Sequence, residues 1–216
     1  MTDVTVATGE DFVATVELHR PPENYFDAAL VEAIAEAYER LDADPGCRAI
    51  VLCSEGRHFC AGARLGGGGV DETARLYAAA VRMFAAGTPV VAAVQGAAVG
   101  GGLGLALSAD FRVAAPESRF SANFARLGFH HGFGLTVTLP EVAGRQAAAD
   151  LLYTGRRVRG DEARALGLSD RLVPAERVRA AVEREAFEQA RLAATEDFGE
   201  GVRAMAERRA PRFTGR

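Results

Sequence analysis

Glycine interrupts apolar runs at three places in this chain: GRHFCAGA at residues 56–63, VVAAVQGAAVGGGLGLALSADFRVA at 90–114 and TGRRVRGDEARALGLSDRLVP at 154–174. Chemistry at such places falls to the main chain, because a residue without a Cβ lets backbone N–H groups come close to a ligand. Two such amides aimed at one oxygen would hold an oxyanion or enolate. The competing reading of each glycine is a tight turn with close packing of helix on sheet. A glycine-rich strand-to-helix turn also suggests a dinucleotide site. Yet Gly100–Leu107 fits neither GxGxxG nor GxGxxA, and Asn123 stands near the place where a ribose partner should be acidic. We reject that reading.

Among side chains, imidazole suits proton transfer near neutral pH best, and His130 and His131 lie together in LGFHHG. His19 and His58 fall at a strand end and in a loop, where solvated or structural roles are expected. All 25 basic residues are arginine, which excludes a Schiff-base lysine and leaves guanidinium groups to meet any phosphate. Cys47, Cys53 and Cys60 lack CxxC spacing and read as buried thiols of a reducing compartment, so no metal site is expected. The 25 basic residues face 29 acidic ones with no long run of either sign, which argues against a nucleic-acid or membrane-surface partner. The start, MTDVTVATGEDF, carries no basic, apolar leader, and glycine breaks the apolar runs well short of a membrane span. A soluble, cytoplasmic protein is expected.

These residues need elements to position them. Length and a 49% hydrophobic content suit one core with a helical tail. Phe12, Ala14, Val16 and Leu18 alternate as one face of a strand. Asp27 to Asp42 follow the helical period with Asp27 as N-cap and Pro45-Gly46 beyond the end. Arg48 to Cys53 and Pro89 to Gln95 read as apolar strands, and Asp71 to Ala86 as an amphipathic helix between them. Gly102 to Ala109 opens a short helix and Asp110 to Ala115 a strand. Gln146 to Tyr153, Asp161 to Leu166 and Ala175 to Ala194 read as helices, with Gly167 as a C-cap. Alternating strands and helices argue for an α/β sheet with crossover connections.

In order and spacing, the three glycine-punctuated segments resemble the enoyl-CoA hydratase/isomerase (crotonase) family, whose members bind CoA thioesters and stabilise the enolate or oxyanion formed at the thioester carbonyl. The similarity spans residues 10–174 and resumes at TEDFGEGVRAMAERRAPRF. It implies a crotonase-like ββα spiral with a shortened C-terminal helical tail, divided as an acyl-CoA-binding core at 1–174 and a tail at 175–216. It assigns the two donor amides to Ala63 and Gly101, the latter at the start of a helix whose dipole favours negative charge. Ala61 and Gly100 follow as substrate-binding positions. The RPxxxNAL-like segment, one residue short here, makes Asn24 and Tyr25 binding candidates, and Arg64 is a candidate for a CoA phosphate. Coenzyme A enters as part of the substrate, with no separate cofactor.

The chain departs from the family at the acid/base positions. Two glutamates position and activate water in family hydratases, and their places are taken by Gly104 and Phe124; neither transfers a proton. Arg64 also replaces the Asp that commonly follows the first oxyanion residue. Phe124 would make the acyl pocket drier. Proton transfer is then expected from His131, with His130 as a weaker candidate; helix capping or a subunit contact is the competing reading of His131. Asp71 and Glu72 suit a helix start for dipole reasons, but could reach the pocket, since the loop Gly66–Gly69 before them is a candidate gating segment. Asp110 reads as a cap or ion-pair partner. The family's tail builds a trimer, so a homo-oligomer (trimer or hexamer) is implied, although residues 175–194 leave room for about one helix. Three activities follow: hydratase or isomerase chemistry with a relocated proton donor, decarboxylation or hydrolysis on the same oxyanion hole, or acyl-CoA binding without turnover.

Overall fold

A computed structural model describes residues 2–64 and 70–216, so the expectation for Gly66–Gly69 lies outside the described residues. In chain order the elements are β1 (Val4–Thr8), β2 (Val13–Leu18), α1 (Ala28–Asp42), β3 (Ala49–Ser54), α2 (Val70–Phe84), β4 (Val90–Val94), β5 (Ala97–Val99) and α3 (Gly101–Leu107). There follow β6 (Phe111–Ala114), β7 (Arg119–Ser121), α4 (Leu135–Ala143), α5 (Arg145–Thr154), β8 (Val158–Arg159), α6 (Gly160–Ala165), β9 (Arg171–Leu172), α7 (Val178–Ala193) and α8 (Glu196–Ala206).

One sheet runs β1-β2-β3-β4-β6-β9, antiparallel at β1 and parallel from β2 onward, and a second runs β5-β7-β8. Strands β3 and β4 are buried at every residue, as parallel strands covered on both faces must be. Ile50, Leu52, Ala92 and Val94 point into the larger core with Leu30, Ile34 and Tyr38 of α1. The alternate residues, Ala49, Val51, Cys53, Val91 and Ala93, meet Val178, Val182, Ala186 and Ala190 of α7. Helix α7 is therefore one layer of the sandwich, and the division expected at residue 174 cuts through a shared core. Asp27 caps α1 as expected, accepting from the Leu30 N–H at 3.0 Å.

Phe12 departs from the expected strand. Its φ of +64° turns it out of register, and its ring lies under the Arg48 guanidinium, 4.1 Å from the centroid. Among the described residues no helix is long and apolar enough to cross a membrane.

Candidate active site

The segment Phe59–Arg64 threads between residues 23–26 and strand β5. Cys60 N–H donates to Ala97 O at 2.9 Å and Val99 N–H to Cys60 O at 3.0 Å, while Ala61 N–H donates to Glu23 O at 2.8 Å. Further along, Phe26 N–H donates to Gly62 O at 3.1 Å and Arg64 N–H to Phe26 O at 2.8 Å. This parallel bridge uses the groups of residues 62 and 64, so the N–H of Ala63 points away from Phe26. Gly62 makes the turn possible, with φ at +118° and only 3.1 Å between a would-be Cβ and Val99 O.

Helix α3 starts beside that bridge. Gly100, at φ +57°, donates its N–H to Ser121 O at 2.7 Å. Gly101 follows at the first helical position, where an N–H has no intrahelical acceptor. A Cβ on Gly101 would lie 2.3 Å from Phe26 Cζ, and one on Gly102 would lie 2.2 Å from Cys60 O. Glycine is what lets the start of α3 press against the strand-like segment that carries Ala63.

Ala63 and Gly101 both line one cavity of about 410 Å³. Of the residues singled out from the sequence, Tyr25, Ala61, Ala63, Arg64, Gly100, Gly101 and Phe124 line it, and Asn24, His130 and His131 do not. Asn24 is wholly buried. Its side chain accepts from Arg20 N–H at 2.9 Å and donates to Glu55 O at 2.9 Å and His58 O at 2.6 Å, which leaves it no group for a ligand. It ties the loop ahead of α1 to the loop after β3. Asn24→Ala is expected to destabilise the protein by about 2–4 kcal/mol, since it strands buried backbone groups; urea unfolding measures this, and a shift under 1 kcal/mol would refute the tie.

His131 stands behind the cavity wall. Its ring meets Phe124 edge-on at 5.6 Å between centroids, and Phe124 also meets Phe129 at 5.3 Å. Its Nδ1 is buried without a partner. Burial, and then the neighbouring His130, lower its pKa against a hydrogen bond that the ring donates to the Leu152 backbone, which raises it. His130 is exposed, with Nδ1 2.8 Å from His131 O. His131 is absent from the cavity lining, and its ring packs against Phe124, which does line it.

A folded-state pKa below the unfolded value means that the unfolded chain takes up the proton first. Stability is complete above about pH 6.5 and falls as pH drops below it. His131→Phe is expected to keep any turnover within about threefold and to flatten part of this acid dependence, read as melting temperature at pH 7.5 and pH 5. A large loss of turnover would restore His131 to the chemistry.

Gly104 and Phe124, expected from the resemblance to stand at the glutamate positions, are both closely packed. A Cβ on Gly104 would sit 2.5 Å from Phe133 O and 2.6 Å from Phe133 Cβ. Phe124 is buried at 8% exposure in the aromatic wall. Cys60, buried next to the cavity segment, has its thiol pushed up to about 12 by burial, which removes it as a thiolate. Cys47 and Cys53 are buried too, as expected.

Of the remaining lining residues, sequence reasoning named only Glu72 as able to reach the pocket and passed over the others. Asp27 lines the cavity with its carboxylate 2.8 Å from Arg20. Burial works to raise its pKa, but Arg20 and the Leu30 N–H outweigh it and hold it below the usual range. One face of α2 contributes Glu72, Thr73, Leu76 and Tyr77, and their 72/76 and 73/77 spacing was a readable helical signal. Leu127, Phe129 and Phe133 complete an apolar wall.

The sequence profile of the enoyl-CoA hydratase/isomerase family matches residues 8–190. A Thermus thermophilus protein that carries the name enoyl-CoA hydratase is 35% identical over 246 residues, covering 93% of this chain and 97% of that protein. The human peroxisomal bifunctional enzyme is 36% identical over 172 residues, 79% of this chain but 24% of its own length. Among solved structures, enoyl-CoA hydratase subunit I of Geobacillus kaustophilus superposes with a TM-score of 0.83 at 30% identity, covering 100% of this chain and 99% of its own. Profile, relatives and fold agree: the chain belongs to the enoyl-CoA hydratase/isomerase family.

Proposed function

We propose that this protein is an acyl-CoA thioester enzyme of the hydratase/isomerase type that receives the thioester carbonyl between the N–H groups of Ala63 and Gly101. The observation that supports the reading is that Ala63 and Gly101, on segments that meet beside Phe26 and Cys60, both line one cavity. Electron density moving onto the carbonyl oxygen would meet two fixed donors, an arrangement worth about 3–4 kcal/mol per donor in the transition state. The acyl chain would lie against Leu76, Phe124, Leu127 and Phe129, an apolar surface that favours a hydrocarbon tail over a polar one. Tyr25 and Arg64 line the same cavity and would contact the CoA portion, with CoA serving as part of the substrate.

With Gly104 and Phe124 at the glutamate positions, no pair of carboxylates holds an attacking water there. Proton movement along the acyl chain, rather than two-glutamate hydration, is the chemistry this arrangement supports. Exposed Phe198, Val202 and Met205 on α8, with Phe213 beyond it, support assembly as a homo-oligomer. Three buried thiols fit a cytoplasmic setting.

The test is mass spectrometry of saturated, 2-enoyl, 3-enoyl, 3-hydroxy and malonyl-type CoA thioesters incubated with the protein in D2O. Deuterium gain or a moved double bond is the expected result. Release of CO2 or free CoA would favour decarboxylation or hydrolysis instead, and binding without any mass change would mark a non-catalytic acyl-CoA-binding protein.

A further inference from the structure

We propose that Glu72 is the group that takes and returns the substrate proton in this site. The inference rests on the acyl-CoA reading above and deepens it. Two carboxylates line the cavity among the described residues, Asp27 and Glu72. Asp27 is committed: its Oδ1 accepts from Leu30 N–H and its Oδ2 is paired with Arg20. Glu72 makes no hydrogen bond or ion pair among the described residues. Arg75, one turn along α2, is drawn away by a two-pronged contact with Glu32 at 3.0 and 2.6 Å, so only its field reaches Glu72.

The other candidates are removed by geometry. Gly104 has no space for a side chain, Phe124 carries no proton, and His131 lies outside the lining. Tyr77 is a phenol whose pKa burial raises further, which disfavours it as a base. Glu72 sits in the first turn of α2 on the face that also presents Leu76 and Tyr77 to the cavity, so the helix and its apolar contacts fix the carboxylate at the wall.

The step balances without any co-reactant. The C–H bond α to the thioester carbonyl breaks, the proton passes to a Glu72 carboxylate oxygen, and the electron pair forms the enolate C=C. The carbonyl oxygen then carries the charge, facing the Ala63 and Gly101 amides. Return of the proton to the α carbon gives exchange; return to the γ carbon of a 3-enoyl chain moves the double bond into conjugation with the carbonyl, and a 2-enoyl chain takes the reverse course by losing its γ proton and regaining one at the α carbon.

The experiment compares wild type, Glu72→Gln and Glu72→Asp for α-deuterium exchange of butyryl-CoA and 3-enoyl-CoA in D2O, with binding measured by calorimetry. Glu72→Gln is expected to lose at least about 100-fold in exchange rate with affinity within about threefold, and Glu72→Asp to recover part of the rate. Exchange at the wild-type rate in Glu72→Gln overturns the assignment. Wild-type binding without exchange also overturns it, while leaving the acyl-CoA reading intact. Failure of wild type to bind any acyl-CoA removes both.

Discussion

Gly104→Glu, which returns a carboxylate to the position the family uses, is expected to destabilise the protein by about 3 kcal/mol or more and to restore no hydration. The Cβ alone would meet Phe133 O at 2.5 Å, Phe133 Cβ at 2.6 Å and its Cδ1 at 3.0 Å. The first of these is backbone, so a rotamer change cannot relieve it. Phe133 is itself locked, with its ring 5.5 Å from that of Phe26 and 6.3 Å from that of Phe84. Beyond the Cβ, the glutamate would place a charge among fully buried residues of α3, where no cationic partner stands. Gly104→Ala should already cost about 1–3 kcal/mol. Urea unfolding and product analysis with crotonyl-CoA decide the matter: a stable variant that hydrates crotonyl-CoA would show that this pocket still accepts the family's machinery.

Gly101→Pro is expected to lower turnover about 100- to 1,000-fold relative to Gly101→Ala. Proline removes the N–H and is tolerated at the first position of a helix, where Gly101 stands. Both substitutions add a Cβ at the point 2.3 Å from Phe26 Cζ, so both displace that ring. Their difference isolates the hydrogen-bond donor from the packing change. Equal rates in the two variants would mean that the Gly101 amide does not touch the reacting oxygen.

Much of this was legible because it is local. The N-cap Asp27, the continuous apolar runs of β3 and β4, and the period of α1 and α2 each reflect a few neighbouring residues. Glycine spacing showed only where backbone could approach a ligand closely; the choice of Ala63 and Gly101 came from the resemblance to the family's motifs. Strands β5 and β7 were not seen: each has three residues, and their order comes from pairing with each other and with Cys60 across long loops. Strand β1 was folded into its neighbour because the turn at Gly9–Phe12 depends on a positive φ at Phe12, a conformation that no pattern of apolar residues announces.

The depth of the histidines was not legible for a similar reason. His131 has the right chemistry and lies near the pocket in sequence, but depth is tertiary, and its ring packs against Phe124 outside the cavity lining. Asn24 illustrates the converse, since a polar side chain in a binding-like motif is wholly used by its own backbone neighbours. Asp71 and Glu72 were both read as helix-start acids able to reach the pocket, and only the packing of α2 distinguishes them, since Glu72 lines the cavity and Asp71 does not.

The central claim, two backbone amides on one thioester oxygen, is tested most directly by the vibrational spectrum of an acyl-CoA carrying 13C at its thioester carbonyl. Bound to wild type, the carbonyl stretch should fall below its value in water and return toward that value in Gly101→Pro. A bound carbonyl that absorbs where it does in water, or a lowering that survives Gly101→Pro unchanged, would contradict the account.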